Sequence, residues 1–163
     1  VMTELTEFQH WAYSPDPTDL SMDNPIWGAG AAVHSYSFTD GTYATDLYGN
    51  QAYYLDDFQM SVNFETQMVE EFEFDVNLGG WQFSPVLAEA AHLSEANLDL
   101  IGSVWDGSTN YDLSGNSSIY MIGAGAEGAI GAYGIHALDM STSDIMNTAT
   151  GAFMAQDDSL YYP

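Results

Sequence analysis

The chain has 163 residues, 46% of them hydrophobic, so it is long enough to bury a core as one domain and too apolar to be disordered. It contains 24 Asp and Glu residues and no Lys or Arg, which gives a formal net charge of −24. A surface that carries only negative charge repels polyanions. This excludes nucleic acid as a partner and excludes insertion into anionic membranes.

The absence of Lys and Arg also determines the solution conditions under which the chain is stable. Carboxylates can be compensated only by backbone N–H groups, hydroxyls, four His, the N-terminus, metal cations or salt, so we expect stability to rise with salt or mild acid. A salty, an acidic or a protease-rich medium would each favour this composition, and we expect a secreted or cell-surface protein. If the chain is exported, its signal has already been removed, because its start lacks a charged n-region.

The first half of the chain predicts an extended arm and then strands. Residues 1–30 contain Ser14-Pro15-Asp16-Pro17 and Asn24-Pro25, which favour non-helical backbone. Period-two alternation begins near residue 31 and ends at Asp40-Gly41, and a short strand at 43–48 is closed by Gly49-Asn50. Phe58 to Phe64 and Phe72 to Leu78 then alternate with polar residues, which predicts a long antiparallel hairpin with one wet face.

The second half predicts further short strands separated by turns. Residues 84–100 are ambiguous between strand and a short helix, because Ala88, Ala90, Ala91 and Glu95 suit a helical turn. Strands are expected at 98–105, 111–113, 117–122, 132–138 and 150–155, and the small residues of 123–137 require tight turns or close packing.

Together these elements predict an all-β, antiparallel, about eight-stranded up-and-down barrel with an extended N-terminal arm and short helical turns. We expect three regions: an arm over residues 1–30, a barrel over residues 31–156 and an aromatic tail over residues 157–163.

Three segments resemble parts of a known family. The segments 61–69 (SVNFETQMV) and 74–81 (FDVNLGGW) look like paired strands closing on a Gly-rich corner, and 125–133 (GAEGAIGAY) is similar to a G-x-A-E-x-x-G element. The resemblance, over roughly residues 31–155, is to the transferrin-binding-protein-like β-barrel of Gram-negative surface proteins, also found appended to FecR-type regulators. It implies an eight-stranded barrel on or outside the bacterial outer membrane, with loops free for recognition.

Two loops are candidate metal sites, because calcium prefers several oxygen ligands on closely spaced residues. Asp16, Asp19 and Asp23 share one Pro-rich loop, and Asp106, Asn110 and Asp112 are spaced like oxygen ligands. Asp and Asn are also common turn residues, so solvated turns remain an alternative. No cofactor is expected apart from a possible calcium ion.

Aromatic residues outside the alternating pattern are candidate interface residues, since such side chains bury large areas at low entropic cost. They are Trp11, Tyr13, Trp27, Tyr53, Tyr54, Tyr161 and Tyr162.

The composition favours a non-enzymatic protein. The four His have no metal-ligand spacing, and no G-x-S-x-G elbow is present. We expect a self-associating structural, matrix or filament subunit whose assembly depends on cations or low pH. Two alternatives stay open: a surface receptor that captures a basic host protein, haem or a metal complex, and an acid- or salt-adapted hydrolase.

Overall fold

The computed structural model describes residues 14–41, 44–95 and 97–160. Strand accounts for 62% and helix for 3% of the structure, so the expected all-β class is confirmed. Within the described ranges no helix has the length and apolarity to cross a membrane.

The described residues form twelve strands. They are β1 (Val33–Gly41), β2 (Ala44–Asp46), β3 (Gln51–Ala52), β4 (Asp56–Asn63), β5 (Met68–Leu78), β6 (Trp81–Leu87), β7 (Ala91–His92), β8 (Asn97–Trp105), β9 (Asn110–Ser118), β10 (Tyr120–Ile122), β11 (Gly128–Leu138) and β12 (Ile145–Asp157). Two single 3₁₀ turns cover Leu93–Glu95 and Asp158–Leu160.

Eight of these strands close into a ring. The antiparallel order β1-β4-β5-β6-β8-β9-β11-β12 returns to β1, because β12 pairs with both β11 and β1. Neighbours in the ring follow one another along the chain, as in an up-and-down barrel, and closure leaves these long strands without a free edge. The predicted eight-stranded barrel is therefore confirmed at the level of the fold.

Aromatic side chains fill the interior of the barrel. Alternation places one face of each strand inside, and on β5 the inward residues Phe72 and Phe74 are buried. Phe72 contacts the ring of Phe153 at 5.4 Å between centroids, and Phe74 contacts Tyr133 at 4.8 Å. Burial raises the pKa of the Tyr133 phenol. The interior is thus a packed core.

Glycines on β11 and β12 make room for these rings. A Cβ on Gly151 would stand 2.3 Å from the Tyr133 hydroxyl, and one on Gly131 would stand 2.2 Å from the carbonyl oxygen of Ser118 and 2.5 Å from the Phe153 ring. The small-residue segment therefore packs closely, as its composition predicts. Its strand begins at Gly128, four residues before the predicted Ala132.

One end of the barrel is covered by residues 14–32. Thr18 N–H donates to the Met121 carbonyl, and Gly28 N–H donates to the Phe64 carbonyl. Trp27 is buried against Phe64, with ring centroids 4.7 Å apart. The described part of the predicted arm is therefore packed on the barrel, since its apolar residues extend the core.

The β2–β3 hairpin lies at the opposite end. The Asp46 carboxylate is buried there and accepts four hydrogen bonds, from the backbone N–H groups of Tyr48 and Asn50 and from the side-chain amides of Asn50 and Asn147. The ring of Tyr48 stacks on Trp81 at 5.8 Å. Amide donors thus replace the missing Lys and Arg at this buried carboxylate.

Several boundaries differ from the sequence predictions; β9 (Asn110–Ser118) and β12 (Ile145–Asp157) are longer than expected. The described residues between 84 and 100 form strands and the single 3₁₀ turn Leu93–Glu95, because pairing with β8 carries β6 through Leu87. At another boundary, Asp157 closes β12 and is buried, although the predicted tail begins with it.

We predict that Gly131→Ala lowers the free energy of unfolding by about 1–3 kcal/mol, because the added methyl group meets a strand carbonyl that cannot move aside. Urea unfolding measures the change. Ser35→Ala, at an exposed position of β1, is the control and should change stability by less than about 0.5 kcal/mol. Equal effects of the two substitutions would contradict the close packing.

Candidate functional site

The first predicted metal loop is organised by its own hydrogen bonds. The Asp19 carboxylate accepts from Ser21 N–H at 2.8 Å and from the Ser21 hydroxyl at 3.0 Å, while the Asp19 carbonyl accepts from the Trp27 indole at 2.8 Å. Asp16 accepts at its carbonyl from Gly123 N–H, and Asp23 is exposed. The visible role of Asp19 is to cap a turn.

The second predicted loop has the same character. One oxygen of Asp106 accepts from Ser108 N–H and Thr109 N–H, and the other accepts from the Tyr111 hydroxyl at 2.8 Å. The backbone bonds to Thr109 and Ser108, followed by the Tyr111 bond, lower the pKa of Asp106 to about 2. Asn110 and Asp112 are exposed on β9, on either side of the Tyr111 side chain that reaches Asp106.

Within the described ranges, no three His, Asp or Glu side chains converge in a geometry that could hold a metal ion. Calcium binding at either loop stays a prediction.

The candidate interface aromatics fall into three groups. Tyr53 and Tyr54 are exposed. Trp27 is buried, which corrects its assignment as a surface interface residue, because its ring covers Phe64 and its indole N–H is already bonded. Four others lie outside the described residues: Trp11, Tyr13, Tyr161 and Tyr162.

A His–Asp pair that sequence reasoning missed lies beside Phe64, the residue that Trp27 covers. His34 Nδ1 lies 2.5 Å from Asp157 Oδ2, and the imidazole stacks on Phe64 at 4.0 Å. Asp157 N–H donates to the Glu127 carbonyl, so the pair ties the end of β12 to β1 and to the loop before β11. The partners are 123 positions apart, and no local sequence signal connects them.

The carboxylates are distributed unevenly around the barrel. Strands β4 and β5 carry six carboxylates: Asp56, Asp57, Glu70, Glu71, Glu73 and Asp75. The turn that joins these two strands is also acidic. Strands β11 and β12 together carry one, the buried Asp157 at the very end. Because β5 and β11 are four steps apart in the ring in either direction, the acidic and uncharged sides are opposite.

We define the uncharged face as the outward residues of β11 and β12. They are Ile130, Ala132, Gly134, His136, Thr148, Thr150, Ala152 and Met154. Register places them in cross-strand rows, such as Ile130 opposite Met154 and His136 opposite Thr148. His136 Nδ1 lies 2.7 Å from the Thr148 hydroxyl, and burial lowers the pKa of the His136 imidazole, which favours its neutral form.

A groove of about 420 Å³ lies at the foot of the uncharged face. Its walls include Ser14, Ile122, Glu127 and Met154. The Glu127 carboxylate is held by Gly125 N–H at 3.0 Å, so the groove is rimmed by a fixed acidic side chain.

No protein-family model, curated protein or solved structure matches this chain. The geometry of the two opposite sides is therefore the basis for a functional proposal.

We predict that the thermal midpoint rises as NaCl increases from 0.02 to 1 M, where the Debye length falls from roughly 20 Å to about 3 Å and screens the carboxylates. Differential scanning calorimetry measures this. If the Asp loops bind calcium, CaCl₂ will raise the midpoint further than NaCl at equal ionic strength. A midpoint that falls with NaCl would contradict the dominance of repulsion.

We also predict that His136 opposes stabilisation by mild acid. Burial lowers its folded pKa below the ordinary 6.5, so its contribution is unfavourable once pH falls below 6.5 and grows until pH passes the folded pKa. His136→Gln retains a hydrogen-bonding group toward Thr148 and cannot be protonated. Between pH 7.5 and 5, urea unfolding should show a more favourable stability change for the variant than for the parent chain. Identical pH slopes would contradict the assignment.

Proposed function

We propose that this chain is a non-enzymatic, self-associating structural subunit of an extracellular or cell-surface assembly. The observation that carries the proposal is the uncharged face of β11–β12, which lies opposite the acidic strands β4 and β5.

Repulsion decides where two copies can meet. With a charge of −24 and no Lys or Arg, no copy can neutralise the carboxylates of another. Like charges brought together at an interface cost several kcal/mol, so a contact between copies needs a surface free of carboxylates on both partners. The uncharged face meets this requirement and includes the exposed side chain of Met154; Met140, after β11, and Ile145, at the start of β12, are further exposed apolar residues.

The filled interior also favours a structural role. Rings from β4, β5, β11 and β12 meet inside the barrel, among them Phe58, Phe72 and Phe153. Barrels that hold a small ligand keep an interior space for it, whereas small filled barrels act as rigid bodies. Function then resides on the outer surface.

A second candidate is the capture of a basic protein by the acidic side. The outward carboxylates of β4 and β5 border two shallow grooves, which also include the apolar residues Val86 and Leu87. The positively charged protein lysozyme is a suitable probe: capture predicts binding that survives 0.15 M NaCl and is lost in Glu71→Gln/Glu73→Gln. Non-specific attraction predicts binding at low salt alone.

We predict that Met154→Glu weakens self-association at least about tenfold, because it places a carboxylate on the uncharged face. Val86→Glu is the matched control: Met154 and Val86 are 40% and 37% exposed, and their strands β12 and β6 are opposite in the ring. Both variants have the same net charge, so a general charge effect would act on both; because Val86 lies opposite Glu73 on β5, urea unfolding checks that Val86→Glu is folded.

Sedimentation velocity in 1 M NaCl at pH 7 tests this prediction over a range of protein concentrations. The parent chain and Val86→Glu should form oligomers, and Met154→Glu should remain largely monomeric. A parent chain that stays monomeric across salt, calcium and acid pH would overturn the proposed function.

A further inference from the structure

The outward side chains at the middle of β12 are buried. Thr148, Thr150 and Ala152 project from the outer side of β12, yet they are only 5%, 3% and 5% exposed. On the opposite side of the barrel the outward Val86 is 37% exposed, as expected for a convex surface in contact with water. The middle of the uncharged face therefore has the burial of a covered surface.

The described segments that leave the barrel lie elsewhere. Residues 14–32 cross the end of the barrel where Thr18 meets Met121 and Gly28 meets Phe64. The β2–β3 hairpin lies at the other end, where Tyr48 stacks on Trp81. Strand β2 pairs with β12 beside the face, where Thr45 is the register partner of Thr150 and the two hydroxyls lie 3.4 Å apart.

The first described residue lies at the foot of this face. Ser14 is the first described residue and lines the groove at the foot of the face, together with Met154. Thirteen residues precede it, with a reach of up to roughly 45 Å. The strand from Met154 to Thr148 covers about 20 Å, so the preceding segment is long enough to cross the whole face.

The composition of those thirteen residues suits the face. Residues 1–13 (VMTELTEFQHWAY) include Met2, Leu5, Phe8, Trp11 and Tyr13, and Glu4 and Glu7 are their only carboxylates. A segment rich in large apolar side chains gains about 25 cal/mol for each Å² of apolar surface that it buries, and on the uncharged face it does so without facing a row of carboxylates.

We propose that the uncharged face is the docking surface for residues 1–13 of this chain, and that exchange of this segment between copies forms the contact of the assembly. The docking follows from the burial of the face and the position of Ser14. The exchange between copies rests on the proposed function.

Engineered disulfides in the full-length chain test the docking directly, because the chain has no cysteine of its own. One cysteine replaces Phe8 and the second replaces Ala152 on the uncharged face. In the control pair, Phe8→Cys is combined with Val86→Cys on the opposite side. Far-ultraviolet circular dichroism of the reduced proteins confirms that both variants are folded.

Docking predicts that the Phe8→Cys/Ala152→Cys pair oxidises at least about tenfold faster than the control pair, since docking raises the effective concentration of the two thiols. Equal rates in the two variants would overturn the docking. The mass of the product under non-reducing conditions separates the two parts of the proposal: disulfide-linked dimers and larger species support exchange, and linked monomers alone contradict exchange while supporting docking.

Sedimentation of the parent chain distinguishes this inference from the proposed function. Rapid cross-linking in a chain that never self-associates retains the docking and rejects the structural subunit. Self-association with cross-linking rates equal to the control retains the structural subunit and rejects residues 1–13 as the occupant of the face.

Discussion

Electrostatic repulsion among 24 carboxylates that have no Lys or Arg partner is the constraint on which the rest of this structure depends. The chain meets it by giving its carboxylates neutral donors. Asp46 is buried among four N–H groups, and on the acidic side the amides of Asn63 and Gln82 donate to Glu70 and Asp75. Backbone and amide hydrogen bonds thus supply the stabilisation that salt bridges give elsewhere.

The same constraint shapes the outer surface. Carboxylates are concentrated on β4 and β5, where they face water and repel one another less than they would in an interface. Strands β11 and β12 are left free of them up to the buried Asp157. A chain whose copies cannot attract one another by charge has kept one side without outward carboxylates, on which apolar contact is possible.

Much of the fold was predictable because it depends on local alternation. Phe72 and Phe74 alternate with Glu71, Glu73 and Asp75, and this pattern alone predicts a strand with one face buried and the other exposed to water. The ambiguity at residues 84–100 was real, since Ala-rich sequence is compatible with helix until β8 provides a partner strand. The start of β11 at Gly128 was not predicted, because a glycine has no side chain to contribute to an alternating apolar pattern.

The candidate site was less accessible to sequence reasoning, because it depends on pairs that the chain brings together from a distance. The His34–Asp157 pair and the bond from Asn147 to Asp46 join residues more than 100 positions apart. The burial of Trp27 likewise depends on Phe64, which is unrelated to it in sequence. The acidic and uncharged sides become opposite only through ring closure, a property of the topology.

Electron cryomicroscopy of the material assembled in high salt tests the central claim most directly, because it shows which surfaces of neighbouring copies touch. The account predicts that each contact lies on the outer side of β11 and β12 and that β4 and β5 face solvent. A contact formed between the acidic strands of two copies would contradict it.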